Sequence, residues 1–452
     1  MTTTVPAPAP APAPTPTAGP LGGDRRTDAL EKDIMRFRTV SGPDLTTRND
    51  AYLAWQLDRQ QADLWPYFRH YETPALTTRA TVVSDTGVVT DGPNFGGQDY
   101  LSLTSHPAVR DAAHQALRDY GPLTAGSPAL GGATPISRAL EAGLAEALRT
   151  EHVALFPTGW ASGFGTIRAL MHRRDHILLD KLSHDSLRQG AAASGATVEF
   201  FRHLDNDAVR RHLSGIRAND TKNAVLVVTE GVFSMDSDTP HLAELLGVCR
   251  EFGAQLMVDV AHDFGAMGEH GGGQPEVHGI LGEVDFVVGA FSKTFATTGG
   301  FLATPSASAR EFVRMFGGPQ TFSSAITPVQ TAVALAALGV VTSPEGARRR
   351  AAVAAVATRL RAGLTARGLE VMGDVVCPVV PVLIGDTPTG RTASGLIARA
   401  GLVAHLVEQP AVASDAARFR MQAMADHTDD DVDTAIDILD TCIREARRTT
   451  AR

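Results

Sequence analysis

The stretch GAFSKTFATTGGF, residues 289–301, places Lys293 between an apolar run and a loop of small residues. A second stretch, QLMVDVAHDFG at residues 255–265, is an apolar run that ends in an acid, Asp259, and continues to His262. Short apolar runs of this kind recur from residue 152 to residue 291, and helical patterns lie between them. Strands that alternate with helices predict right-handed crossovers, and hence an α/β fold with a mainly parallel sheet.

The same reading assigns elements along the whole chain. Predicted strands are HVALFP (152–157), HILLD (176–180), TVEFFRH (197–203), AVLVVTE (224–230), AQLMVDV (254–260) and DFVVGAF (285–291). Helical spacing marks residues 28–40, 49–72, 108–120, 136–150 and a long alanine-rich stretch from 327 to about 367. Residues 81–103 predict a short hairpin. A smaller α+β unit follows, with strands near 375–385, 402–408 and 417–425 and a closing helix at 429–448.

These patterns divide the chain into four segments. Residues 1–27 form an Ala/Pro-rich tail, which we expect to be extended and disordered because alternating prolines prevent helix formation and strand pairing. Residues 28–93 are predicted to form an N-terminal helical segment and the hairpin. Residues 94–330 form a large cofactor-binding domain, and residues 331–452 form a connecting helix and a small C-terminal domain.

Composition excludes several classes of protein. With 452 residues and 43% hydrophobic content, the chain can bury a large core. The net charge is −9 and no basic patch stands out, so we expect no nucleic-acid partner. No run approaches the ~20 apolar residues of a membrane span. Three scattered cysteines, Cys249, Cys377 and Cys442, fit a reducing compartment, and we expect a cytoplasmic protein.

Residues whose side chains can take part in catalysis follow the predicted strands. In an open α/β sheet, ligands bind beyond the carboxyl ends of the strands. Lys293 can form an imine with an aldehyde, and Asp259 can keep a pyridine nitrogen protonated. His184, in the segment HDSL, can lie flat over a ring. Together these are the protein groups that pyridoxal 5'-phosphate needs as an electron sink, and the sequence predicts a site for this cofactor.

Each of these residues alone also has a purely structural interpretation. Asp259 could cap the next segment, His262 could be a satisfied core histidine, and Lys293 could be an exposed loop lysine. The neighbouring glycines at 289, 299 and 300 permit close approach of the backbone, which favours a functional Lys293.

A phosphate site is predicted at the turn that follows the first strand. Thr158, Gly159 and Trp160 precede a predicted helix, so their backbone N–H groups could receive a phosphate, although such turns are common. Ser234, in FSMDSD, could contact the cofactor or could merely make a turn.

A collinear series of motifs runs from about residue 94 to the C-terminus. It comprises DYLSLTSHP, AGSPALGGATPISRALE, FPTGWASG, HDSLRQGAAASG, TEGVFSMDSD, DVAHDFGAMGEHGGG, FSKTF and RFRMQAMADHTDDD. In this series the chain resembles the α-oxoamine synthases, fold-type-I pyridoxal-phosphate enzymes that include 8-amino-7-oxononanoate synthase, serine palmitoyltransferase and 2-amino-3-ketobutyrate CoA ligase. The resemblance implies a fold-type-I transferase with a large domain and a smaller C-terminal α+β domain.

The resemblance also implies a role for each matched residue. Lys293 would hold the cofactor and later move the α-proton, Asp259 would pair with the ring nitrogen, His262 with the phenolic oxygen, and His184 would stack on the ring. Further cofactor contacts would come from Thr158, Gly159, Trp160, Ser234, Ser292 and, across the interface of a homodimer with shared sites, Ser323 of TFSSAI.

Substrate contacts are implied at two positions. Arg420 would hold the amino-acid carboxylate, because a guanidinium suits bidentate binding, and Gln98 would shape that pocket. Arg418, two residues away on the same predicted strand face, is the weaker candidate.

The chain departs from the family pattern at Gln98, Pro128, Ser137, Gly163 and Ala290, where the family commonly has Asn, Arg, His, Asn and Thr. The implied activity is condensation of a small amino acid with an acyl thioester, usually with loss of CO₂. These departures favour specialised metabolism over a housekeeping role.

Coenzyme A and an acyl carrier protein both remain open as the acyl donor. The alternatives are a pyridoxal-phosphate aminotransferase or lyase that uses no thioester, and a non-catalytic partner subunit.

Overall fold

The computed structural model describes residues 23–67, 69–73 and 75–451. Helix α1 begins at Gly23, so the last five residues of the predicted tail are helical, and that boundary was wrong. The rest of the predicted tail, residues 1–22, lies outside the described residues.

The N-terminal part of the chain combines short helices with a small antiparallel sheet, in the order β1-β2-β3. Its elements are α1 (Gly23–Glu31), a 3₁₀ turn (Ile34–Phe37), α2 (Asp50–Gln61), β1 (Arg69–Tyr71), β2 (Arg79–Ser84) and β3 (Val89–Pro93). The predicted hairpin is confirmed by the pairing of β2 with β3. The helix predicted for residues 49–72 was wrong in its second half. It ends at Gln61, because Asp63 takes a positive φ of 59° and Pro66 disfavours helical backbone at the residue before it.

The central sheet of the described chain has seven strands in the order β4-β10-β9-β8-β7-β5-β6. Its strands are β4 (His152–Phe156), β5 (His176–Asp180), β6 (Thr197–Phe201), β7 (Val225–Glu230), β8 (Gln255–Asp259), β9 (Phe286–Ala290) and β10 (Gly300–Thr304). Strands β9, β8, β7, β5 and β6 run parallel, whereas β10 is antiparallel to both β4 and β9. The predicted α/β fold with a mainly parallel sheet is confirmed.

Helices pack on both sides of this sheet and contribute to a continuous apolar core. They are α3 (Pro107–Tyr120), α4 (Pro135–Ala147), α5 (Gly159–Leu170), α6 (Asp185–Ser194), α7 (Asn206–Asn219), α8 (Leu242–Glu251), α9 (Gln274–Val277), α10 (Ala307–Phe316) and α11 (Gly318–Thr321). In this part of the chain a 3₁₀ turn also spans Pro128–Leu130.

The C-terminal part carries a four-stranded antiparallel sheet in the order β11-β12-β14-β13. Its elements are α12 (Pro328–Val341), α13 (Pro344–Ala366), β11 (Glu370–Val371), β12 (Val379–Gly385), α14 (Thr387–Arg399), β13 (His405–Val407), β14 (Ala417–Gln422) and α15 (Asp429–Thr450). The predicted long helix is two helices, because Ser343 caps α13 and Pro344 is its first residue. The other predicted domain boundaries remain predictions.

Candidate active site

A cavity of about 350 Å³ lies at the carboxyl ends of β7, β8 and β9 and at the start of α5. The predicted site residues that line it are Thr158, Gly159, Trp160, His184, Asp259, His262, Ser292 and Lys293. Ser186, Glu230, Ala261, Gly289, Ala290, Thr298 and Gly299 complete its wall. The structure therefore brings together all the residues that were predicted to do chemistry on the cofactor.

Two carboxyl groups face Lys293 in this cavity. Asp259 ends β8, and its register partner Glu230 ends the neighbouring parallel strand β7. Burial raises the pKa of Glu230 well above its ordinary value, and the nearby charge of Asp259 raises it further. Burial also raises the pKa of Asp259, while the charges of His184 and Lys293 oppose that change. Two acids this close cannot both ionise without cost, so we infer that Glu230 holds the proton and Asp259 the charge.

The Lys293 amine lies on the loop between β9 and β10 and is largely enclosed. Burial lowers the pKa of Lys293, the charge of Arg420 lowers it further, and Asp259 and Glu230 act in the opposite direction. A lysine with a lowered pKa is neutral more of the time, and the neutral amine is the form that attacks an aldehyde.

His262 is buried and hydrogen-bonds through Nδ1 to the hydroxyl of Tyr100, at 2.7 Å. Burial lowers the pKa of His262 well below its ordinary value, and the charge of Lys293 lowers it further. Burial raises the pKa of Tyr100, so its hydroxyl keeps its proton. If Tyr100 donates to Nδ1, the neutral imidazole carries its own proton on Nε2, where it can donate to a ligand in the cavity.

His184 lies at the open side of the cavity and caps α6. Its Nδ1 lies 2.8 Å from the hydroxyl oxygen of Ser186, and its backbone N–H donates to Oε1 of the Glu230 carboxyl group at 2.5 Å. Glu230 and Ser186 therefore fix the position of the ring that was predicted to stack on the cofactor.

The N-terminus of α5 also lines the cavity. Thr158 caps this helix by accepting a hydrogen bond from the backbone N–H of Ala161 at 3.0 Å. The first N–H groups of a helix have no acceptor within it, which leaves those of Gly159 and Trp160 available to an anion. A methyl group on Gly159 would lie 2.3 Å from the Ala290 side chain, so glycine is required there.

Four predicted residues lie outside this cavity. Arg420 lines a neighbouring cavity, described below, and its charge still acts on Lys293 and His262. Ser234, Gln98 and Ser323 are half-buried, and none of them lines either cavity. Their predicted contacts therefore remain predictions.

Arg418 has a structural environment. It is buried, forms an ion pair with Asp236 at 2.6 Å and donates to the carbonyl oxygen of Met235 at 3.0 Å. These contacts fix β14 to the loop that follows β7.

Two of the departures from the family pattern have a local explanation. Ser137 forms a capping box with Thr134 at the start of α4. A side chain at Gly163 would meet Ser186 and Leu187 at about 3 Å, so glycine allows α5 and α6 to pack closely.

Sequence reasoning did not single out Glu230 and Tyr100. Glu230 had a usable signal, because AVLVVTE ends in an acid just as QLMVD does, and adjacent parallel strands present their ends side by side. The side-chain contact between Tyr100 and His262 joins residues 162 positions apart, and no local pattern marks it.

Comparison with known proteins assigns the family. Residues 90–439 match the model of the aminotransferase class I and II family. The chain is 34% identical to a serine palmitoyltransferase from Sphingobacterium spiritivorum, over 83% of this chain and 90% of the relative. It is 33% identical to the 8-amino-7-oxononanoate synthase of Geobacter metallireducens, over 75% of this chain and 86% of the relative. A solved structure of serine palmitoyltransferase from S. paucimobilis with a bound PLP–myriocin aldimine superposes with a TM-score of 0.82 at 26% identity, covering 89% of this chain and 99% of that one.

The chain therefore belongs to the aminotransferase class I and II family and, within it, to the α-oxoamine synthases. The predicted family and the fold-type-I architecture are confirmed.

Proposed function

We propose that the chain is a C-acyltransferase that uses pyridoxal phosphate to condense a small amino acid with an acyl thioester. The products are an α-amino ketone, the free thiol and CO₂. The observation that most supports this is the convergence of Lys293, Asp259, His262 and His184 on one cavity, in a chain related to a palmitoyltransferase and an oxononanoate synthase.

The groups in the cavity fit this cofactor. The N–H groups of Gly159 and Trp160 could bind its phosphate, and the Asp259 carboxylate could pair with its ring nitrogen. A neutral His262 could hydrogen-bond its phenolic oxygen, and the Lys293 amine could react with its aldehyde. Bound pyridoxal phosphate supplies an electron sink for a carbanion next to the substrate nitrogen.

The chain's own residues account for the remaining chemistry. Lys293, with its lowered pKa, can take a proton from the substrate α-carbon. Asp259, as the ionised partner of Glu230, holds a proton on a ring nitrogen opposite it. His184 covers the cavity on its open side, where Glu230 and Ser186 hold it. Arg420 provides the cation for the substrate carboxylate, next to Lys293.

We also propose a homodimer with shared active sites. A group of large apolar side chains is exposed near the phosphate end of the cavity: Trp160, Phe312, Met315, Phe316 and Phe322, the last of which is 90% exposed. Exposed apolar surface of this kind is typical of an interface. Ser323 follows Phe322 directly, so a partner seated on this surface would lie beside Ser323, as predicted.

We propose a cytoplasmic location. Cys249, Cys377 and Cys442 are free and buried, in keeping with a reducing compartment. In the described part of the chain, no helix is long and apolar enough to cross a membrane.

The proposed function is tested with protein reconstituted with pyridoxal phosphate. The test measures exchange of amino-acid α-protons by NMR, release of free thiol from S-acyl pantetheine thioesters, and the ketone product by mass spectrometry. We expect thiol release to require both substrates and to be lost in Lys293→Ala but not in Lys222→Ala, which alters an exposed turn. Formation of a keto acid without any thioester would instead identify an aminotransferase. Protein that binds no cofactor would be a non-catalytic subunit.

A further inference from the structure

We propose that a second cavity, between the N-terminal segment (residues 23–67) and the C-terminal sheet, holds the hydrocarbon end of the acyl group. This inference rests on the proposed thioester condensation and names the part of the chain that selects the acyl group. The cavity has a volume of about 380 Å³, and Arg420 forms part of its wall.

The second cavity adjoins the active site. Arg420 lines it, and the charge of Arg420 also reaches Lys293 and His262, whose pKa values burial and neighbouring cations lower. The chain after β7 makes the same connection, because Glu230 lines the active-site cavity and Met235, five residues later, lines the second one. A substrate whose carboxylate meets Arg420 therefore has the second cavity beside it.

The wall of the second cavity is mostly apolar. Several of its polar groups are paired: Glu408 accepts hydrogen bonds from Arg59, Arg391 and Tyr67 at 2.8, 2.7 and 3.1 Å. Gln409, with its amide nitrogen turned towards Asp33, donates to both carboxylate oxygens at 2.6 Å.

The Nε atom of Arg420 is buried and has no hydrogen-bond partner among the described residues. Arg420 therefore brings an unpaired polar atom to this wall, and the mostly apolar remainder suits hydrocarbon. An acyl chain joined to the reacting carbonyl has this distribution of polarity.

The N-terminal segment forms this wall rigidly. The Arg59 guanidinium is fully buried, with its centre 4.8 Å from the ring centroids of both Trp55 and Trp65. Arg391 donates to the carbonyl oxygens of Leu30 and Lys32 at 2.7 and 2.9 Å, at the end of α1. These buried contacts attach α1 to α14, which carries Arg391, and α2 to Glu408, which directly follows β13, so the cavity exists before a ligand binds.

Part of this wall comes from a segment that precedes the match to the family model. Ile34, Tyr52, Trp65 and Tyr67 line the cavity, and all four precede residue 90, where that match begins. The region that matches the family model thus provides the catalytic cavity, whereas the segment before it helps to set the room for the acyl chain.

The test measures binding of S-acyl pantetheine thioesters, from acetyl to tetradecanoyl, to the cofactor-loaded protein by calorimetry without amino acid. These probes carry the arm that coenzyme A and acyl carrier protein share. For the wild type we expect Kd to fall by up to about fourfold per methylene until the cavity is full. Ile34→Trp and Ala411→Trp, which add bulk at two lining positions, should bind the acetyl probe normally and the long probes about tenfold or more weakly.

Leu53→Trp is the matched control, because Leu53 is exposed on α2 and does not line the cavity. It should keep the wild-type dependence on chain length. A chain-length dependence that is absent, or that is the same in the wild type and both filled variants, would overturn the inference. If long probes bind as expected but no amino acid is acylated, the proposed condensation fails while the acyl site stands. If condensation proceeds with no discrimination of chain length, the acyl site fails while the proposed condensation stands.

Discussion

Glu230 and Asp259 are register partners on parallel strands, and both of their carboxyl groups line the cavity that contains Lys293. Burial raises the pKa of both carboxyl groups, more strongly for Glu230, which Asp259 further disfavours as an anion. This asymmetry separates two residues of the same chemistry into a neutral and a charged member.

Asp259→Asn and Glu230→Gln should therefore have unequal effects. Asp259→Asn removes the charge that is proposed to hold a proton on the cofactor ring, and we expect α-proton exchange of glycine, alanine or serine to slow by about 10²-fold or more. Glu230→Gln replaces a group that is already neutral and keeps its carbonyl acceptor for His184, so exchange should change by less than about tenfold. The α-proton exchange rates of the two variants are compared by NMR. An equal loss of rate in both would show that both carboxyl groups are ionised.

Arg420 and Arg418 should separate in a second pair of variants. Arg420→Ala removes the proposed charge-assisted bond to the substrate carboxylate, worth about 1.5–3 kcal/mol, so amino-acid affinity should fall about 10- to 100-fold with little change in the free energy of unfolding. Arg418→Ala breaks the ion pair with Asp236 and should lower the free energy of unfolding by about 1.5–3 kcal/mol without changing affinity much. Amino-acid titration and urea denaturation measure the two effects. An Arg420→Ala protein that binds amino acid like the wild type would remove this arginine from the site.

The proposed sharing of active sites in a homodimer predicts complementation between inactive chains. Ser323→Asp should place a negative charge against the partner's phosphate and inactivate the enzyme, whereas Ser324→Asp, at an exposed position one residue on, should be tolerated. When Ser323→Asp and Lys293→Ala chains are mixed and allowed to exchange, about one site in four should have both intact contributions and recover activity. Recovery would be absent if each chain built its own site.

Stability should depend on pH through His203. Burial alone would lower the pKa of His203, but hydrogen bonds to Asp180 and Asp238 raise it to about 9. Since the unfolded value is about 6.5, the stabilisation is complete below that pH and is lost as pH rises through about 9. Relative to His203→Gln, the wild type should lose about 3 kcal/mol of unfolding free energy between pH 6 and 10. Parallel denaturation curves at the two pH values would contradict this.

The strands and most of the cavity could be predicted because their signals are local. Strands β4 to β9 are apolar runs with polar residues at their carboxyl ends, and those ends lie together in any parallel sheet. Strand β10 was missed because GFLAT follows a run of small residues that resembles a loop, and its pairing with β4 depends on residues about 150 positions away.

Side-chain partners were harder to predict than elements. Arg418 and Arg420 look alike in the sequence RFRMQ. In the folded chain Arg418 forms an ion pair with Asp236, whereas Arg420 lines the second cavity. Ser137 stood out in the sequence as a departure from the family pattern, and in the fold it completes the capping box of α4 with Thr134. The N-terminal segment had a helical pattern, but nothing in that pattern showed that Arg59 would meet Glu408, 349 residues later.

The position of β10 has a consequence for the order in which parts of the protein fold during synthesis. Within the described chain, β4 pairs with β10 alone, and Gly300 packs against the backbone of Thr158 and Gly159. During synthesis, the strand that leads into the phosphate turn emerges long before its only neighbour in the sheet, and an unpaired edge is exposed in the interval. A nascent chain that stops before Gly300 should leave the amides of β4 open to hydrogen exchange, so the cofactor site is expected to be a late product of folding.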